Sequence, residues 1–120
     1  MSTIHLIIFT GILSLIYGFW AGNSSEITLS TATIFNNNGY GMHLEDNVII
    51  DANDLNVSSN SGTGLEILDN VQGEFSNSRF ISNGTHGIEI WSASPSFYNC
   101  DISNNNNDGV DVRDDSQALF

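Results

Sequence analysis

The stretch "NNNGYGMHLEDN", Asn36–Asn47, decides the fold. An Asn-rich turn is followed by a glycine and then by an alternating Met42–His43–Leu44. The same grammar returns as "NSGTGLEILDN" (Asn60–Asn70), "NGTHGIEIWSA" (Asn83–Ala93) and "NNNDGVDVRDD" (Asn105–Asp115). Aligned on Gly41, Gly64, Gly87 and Gly109, the units follow one another at steps of 23, 23 and 22. One residue after each glycine stand Met42, Leu65, Ile88 and Val110, and three after stand Leu44, Ile67, Ile90 and Val112. Between them lie the polar His43, Glu66, Glu89 and Asp111. Such period-two alternation is the mark of a half-buried strand.

Working outward, the register holds. Seven residues before each glycine come the apolar Ile34, Val57, Phe80 and Ile102, and four before come Asn37, Asn60, Asn83 and Asn105. Phe75, Phe97 and Phe120 recur at steps of 22 and 23, which predicts an aromatic stack in a further interior column. The shorter third unit places its slip between Ile90 and Phe97. A coil of this length cannot bury its own apolar side. Stacking coils about 4.8 Å apart pairs their strands in parallel and closes a continuous core. The four asparagines are expected to point inward as a structural ladder, each bonding the next and the turn backbone. Burial otherwise costs an unsatisfied polar group about 1–3 kcal/mol. Gly and Asn at the bend are expected to supply left-handed backbone.

The N-x-x-x-G-apolar-x-apolar repeat resembles the right-handed parallel β-helices of the pectin-lyase-like superfamily, over about Ser24–Phe120. The expected fold is all-β, a solenoid of about four coils with a period of 22–23. A leucine-rich repeat of similar length would want Leu at several fixed positions, and Leu is rare after residue 30. A propeller blade needs some 40 residues. The resemblance implies a secreted or surface protein that binds or processes polysaccharide, and, for an enzyme, a lyase or glycoside hydrolase. A non-catalytic structural or adhesive solenoid is the other reading, and superfamily likeness alone is an analogy for both.

Two Lys+Arg against 14 Asp+Glu give a net charge of −12. That excludes nucleic-acid binding, which needs Lys and Arg to neutralise phosphates, and argues against unaided binding of an anionic polysaccharide. The single Cys100 rules out an intrachain disulfide and a multi-cysteine zinc site. No charged side chain precedes Glu26, and Ile4–Gly18 is strongly apolar. Residues 1–22 are therefore expected to form a hydrophobic leader: a signal peptide, a membrane anchor or an N-terminal cap. The first two imply an extracytoplasmic domain, with membrane contact only through this segment. Residues 24–120 would then be the β-helix. Phe120 ends the chain inside a coil with no polar cap, so the domain reads as truncated, with an open end able to self-associate.

The outward column Glu66, Glu89, Asp111 is the first place to look for chemistry. Equivalent carboxylates on neighbouring coils repel. Three readings stay open: a raised pKa that would make the middle one a general acid, a calcium site, or a solvated face. Calcium, held by Glu66, Glu89, Asp111 and Asp69, is the only cofactor the acids suggest, and none is required for folding. Trp91 and Arg113 are candidates for substrate contact, because sugar rings pack on exposed aromatic faces. Gly84–Ile90 ("GTHGIEI") resembles the Gly-His-Gly element of polygalacturonase-type glycoside hydrolases, and Asn106–Val112 ("NNDGVDV") their Asn-Thr-Asp-Gly element. The resemblance would give catalytic roles to His86 and to Asp108 or Asp111. The two elements stand in reverse order here, and the paired aspartates and the Arg-x-Lys element are absent.

Overall fold

A computed structural model describes the backbone of Thr3–Leu6 and Phe9–Ile12 and the whole chain over 16–120. Its strands are β1 (Thr3–Leu6), β2 (Phe9–Ile12), β3 (Tyr17–Ala21), β4 (Glu26–Phe35), β5 (Tyr40–Leu44), β6 (Ile49–Ser58), β7 (Leu65–Leu68), β8 (Gln72–Ser76), β9 (Arg79–Ile81), β10 (Ile88–Trp91), β11 (Ser94–Tyr98), β12 (Asp101–Ser103) and β13 (Val110–Arg113). Every pairing between them is parallel. One sheet runs β13-β10-β7-β5-β3, and the other is built on β1-β4-β6-β8-β11 with β2, β9 and β12 attached. The chain is a right-handed parallel β-helix of about four coils, as the repeat requires.

The register follows the glycine alignment. Met42 pairs with Leu65, Leu65 with Ile88, and Ile88 with Val110. Trp91 lies opposite Leu68, a step of 23, but Ser94 lies opposite Gln72, a step of 22. The missing residue therefore falls at the Ser92–Ala93 corner, inside the expected window.

Corners come from short polar residues in the left-handed region. Asp46, Asn47, Asp69, Asn70, Ser92 and Asp114 turn the chain out of the first sheet. Thr31, Asp54, Asn77 and Asn99 bend the second sheet, and Asn36, Ser59, Ser82 and Asn104 open the next turn. Their side chains tolerate this conformation through local hydrogen bonds. The expectation is corrected for the glycines. Gly41, Gly64, Gly87 and Gly109 are not left-handed; among the described glycines only Gly73 has positive φ. At Gly41, Gly64 and Gly87 a side chain does not fit, because the next coil lies against them; at Gly109, on the last coil, a Cβ would make ordinary contacts. A Cβ on Gly64 would lie 2.6 Å from Asn83 Nδ2 and 2.7 Å from Gly87 O.

Inside, the columns are the expected ones up to the last coil, where Val110 is half-buried and Val112 exposed. Met42, Leu65 and Ile88 are fully buried, as are Leu44, Ile67 and Ile90. Burying each such side chain contributes about 1.5–3 kcal/mol. Phe75 stacks on Phe97 at 5.0 Å, and Phe97 on Phe120 at 4.9 Å, while Phe80 meets Phe75 and Phe97 edge-on. The asparagine ladder forms in full. Nδ2 of Asn37, Asn60 and Asn83 donates to Oδ1 of Asn60, Asn83 and Asn105 at 2.9, 3.0 and 3.1 Å. The same three oxygens accept the backbone N–H of the preceding rung. Each rung thus joins two coils and saturates the buried turn.

The expected leader, residues 1–22, lies partly outside the described residues. Where it is described, its strands continue the lattice: Thr3 pairs with Glu26, Phe9 with Ala32 and Tyr17 with Tyr40, each at a step of 23. Gly18, Phe19 and Ala21 repeat the glycine–apolar–x–apolar pattern one unit upstream of Gly41. Among the described residues no helix is long and apolar enough to cross a membrane.

Candidate functional site

The outer face of the sheet β3–β5–β7–β10–β13 gathers the chemistry-bearing side chains. Alternation sends Trp20, His43, Glu66, Glu89 and Asp111 outward in one file, in register with one another. The residues just before the repeat glycines, Tyr17, Tyr40, Thr63, His86 and Asp108, make a second file beside it. Glu45, Leu68, Trp91 and Arg113 make a third.

The carboxylates of the first file do not face one another. Glu66 Oε1 lies 2.5 Å from His43 Nδ1, whose Nε2 is 3.2 Å from Glu45 Oε1. Glu89 accepts from Thr63 Oγ1 on one oxygen and from Trp91 Nε1 on the other, both at 3.1 Å. Asp111 accepts from Arg113 Nε at 3.1 Å, with Nη2 2.5 Å from its second oxygen. Each acid turns to a different neighbour, which is how like charges stack on adjacent coils. The hydrogen bond from Arg113 holds the Asp111 carboxyl below the usual carboxylate range. That suits an anion or a metal ligand and opposes a role as general acid.

His43 is the clearest departure from an outward, solvated file. It is only 6% exposed, covered by the mutually stacked Tyr17 and Tyr40 rings at 4.9 and 6.3 Å. Burial alone would lower its pKa. The Glu66 hydrogen bond, with the charges of Glu66 and Glu45, outweighs burial and raises it. Burial, followed by the charges of Glu66 and Glu89, raises the Tyr40 phenol in turn.

The sequence candidates therefore divide. His86, Glu89 and Asp111 converge, each offering a ligand atom within 4.8 Å of the other two. Glu66 does not join them, being held by His43. Asp69 groups with Glu45 and Asp46 around the next corner, so the four acids expected to hold calcium are not brought to one point. Trp91 and Arg113 are neighbours, but Arg113 lies over the Trp91 ring at 4.8 Å, so the guanidinium covers one face of the indole. The asparagines Asn37, Asn60, Asn83 and Asn105 belong to the interior and take no part in this face.

Sequence reasoning misses Tyr17, Trp20 and Tyr40. Tyr17 and Trp20 fall inside the apolar segment and count there as leader. Extending the glycine alignment back to Gly18 is the signal that puts both on this face. Trp20 is 48% exposed and Tyr17 36%.

With fold and face in view, the class is plain, a parallel β-solenoid built from repeats. The right handed beta helix region family matches residues 48–120, and the chain belongs to that family. Neither the curated proteins nor the solved structures gave a match.

Proposed function

We propose that this chain is a polysaccharide-binding module of a secreted or surface-exposed β-helix protein, and that its ligand is a neutral glycan. The supporting observation is the exposed Trp20, which heads the file that runs past the covered His43 to the fixed acceptors Glu66 and Glu89, with Tyr17 exposed in the file beside it. Aromatic faces take the apolar side of a sugar ring, and carboxylates held in place by His43, Thr63 and Trp91 accept from sugar hydroxyls without further ordering. Coils repeat every about 4.8 Å, so an extended chain lying along the axis meets equivalent groups again and again. The net charge of −12 selects against anionic polymers.

Affinity electrophoresis of the full chain through gels containing neutral or anionic polysaccharides tests the reading. Retardation by at least one neutral polymer is expected, with Trp20→Ala reducing it and anionic polymers without effect. Free migration in every neutral gel, or retardation that Trp20→Ala leaves intact, would overturn the proposal.

A further inference from the structure

We propose that His86, Glu89 and Asp111 form a site for a divalent transition metal of the zinc class. The ligand set is one nitrogen and two carboxylates, with ligand atoms within 4.8 Å of one another. Small side-chain rotations bring them to the metal–ligand bonds of about 2.0–2.2 Å that zinc makes. His86 and Glu89 come from the third coil and Asp111 from the fourth, so the ion would tie two coils together. Three protein ligands leave one tetrahedral position for water or for an oxygen of a bound molecule.

What surrounds the three ligands carries the argument further. Metal-binding groups are normally oriented by partners of their own. Here His86 presents Nε2 to Asp111 Oδ2 at 3.8 Å and Nδ1 to Asp108 Oδ2 at 3.4 Å. That is the order carboxylate, imidazole, metal. Glu89 is held by Thr63 and Trp91, and Asp111 by Arg113. His86 Nδ1 is nonetheless closed to solvent and lacks an aligned hydrogen bond, while Asp111 Oδ2, equally closed, has the Arg113 guanidinium as its ion-pair partner. Asp108 is largely exposed and free to swing onto Nδ1; an ion between Nε2 and Oδ2 would share the Asp111 carboxylate with Arg113. The charges agree. Glu89, Asp111 and Asp108 carry three negative charges and Arg113 one positive, so with a neutral imidazole the group lacks two positive charges. Calcium fits poorly, since it takes six to eight oxygen ligands. Imidazole with carboxylates suits zinc and its neighbours.

The experiment is a titration of the tag-free full chain with zinc sulfate by calorimetry, and with cobalt(II) followed by visible absorption. One equivalent should bind, with the intense absorption of four-coordinate cobalt. His86→Gln, checked for folding by far-UV circular dichroism, should abolish both signals. Asp108→Asn should weaken zinc by about 10–100-fold, the usual cost of losing an orienting partner. The double variant Glu45→Gln/Asp69→Asn, at the separate acidic corner, should bind as wild type. Independently of any variant, zinc should shift the ring resonances of His86 and leave those of His43 in place. Absence of saturable zinc binding, wild-type affinity in folded His86→Gln, loss of binding in the corner variant, or displacement of zinc by equimolar calcium would each overturn the proposal.

Discussion

Replacing Asn83 by alanine tests the interior ladder at a fully buried rung. Asn83 is 2% exposed. Its Oδ1 accepts from the N–H of Asn60 at 3.1 Å and from Asn60 Nδ2 at 3.0 Å. Its Nδ2 donates to Asn105 Oδ1 at 3.1 Å and to Val57 O at 3.2 Å. Truncation leaves the Asn60 backbone donor with no acceptor in the dry interior, and the Asn60 amide with only its longer bond to Ile34 O at 3.4 Å. A buried orphan costs about 1–3 kcal/mol, so one full orphan and one partial one give roughly 2–4 kcal/mol. For a chain of this size each kcal/mol lowers the melting point by about 4 °C, a fall of about 8–16 °C. Asn105 Oδ1 accepts the equivalent pair of bonds from Asn83 and its Nδ2 donates to Phe80 O, but it is only partly buried. Water can replace part of what it loses, and Asn105→Ala should cost about 1 kcal/mol. Urea denaturation of wild type and both variants, followed by far-UV circular dichroism, supplies the comparison. Equal losses in the two variants, or a change below about 0.5 kcal/mol in Asn83→Ala, would refute the reasoning.

The remaining predictions concern the glycine column and the buried histidine. Gly64→Ala should destabilise by about 1–3 kcal/mol in the same assay, because its methyl group would meet Asn83 Nδ2 at 2.6 Å and the backbone of Gly87 at 2.7 Å. Tolerance of alanine there would show that the coils can part without cost. His43 has a folded pKa raised above its unfolded value of about 6.5. Its contribution to stability is therefore fully present below about pH 6.5 and is lost as pH rises through the folded value. Melting wild type and His43→Gln from about pH 6 to about pH 9 should show the gap between them narrowing with rising pH; a gap that widens would contradict the assignment.

The interior was legible in the sequence because a solenoid maps chain distance onto space in the simplest way. One repeat moves the chain one coil along the axis, so residues at equal offsets from the glycine must stack. That placed the ladder from Asn37 to Asn105, the Phe75–Phe97–Phe120 stack and the slip before Phe97. The role of the repeat glycines was not legible. Left-handed backbone and lack of room both select glycine, and only the contacts of Gly64 with Asn83 and Gly87 tell them apart. The coil through Tyr17–Ala21 was hidden because an apolar strand and an apolar leader have the same composition.

The sequence by itself determined the coil, its period, its inward columns and the file Glu66, Glu89, Asp111 as outward. It could not determine the partners of those outward groups. Polar side chains on adjacent files can turn to several neighbours, and their choice depends on contacts that exist only once the coils are stacked. Tertiary structure alone decided that Glu66 turns to His43 beneath the Tyr17 and Tyr40 rings, and that Glu89 turns to Thr63 and Trp91. It also decided that His86 meets Asp111, from a different file on a neighbouring coil. Burial of apolar surface is written in the repeat, whereas pairing among exposed polar groups is settled by the geometry the repeat creates.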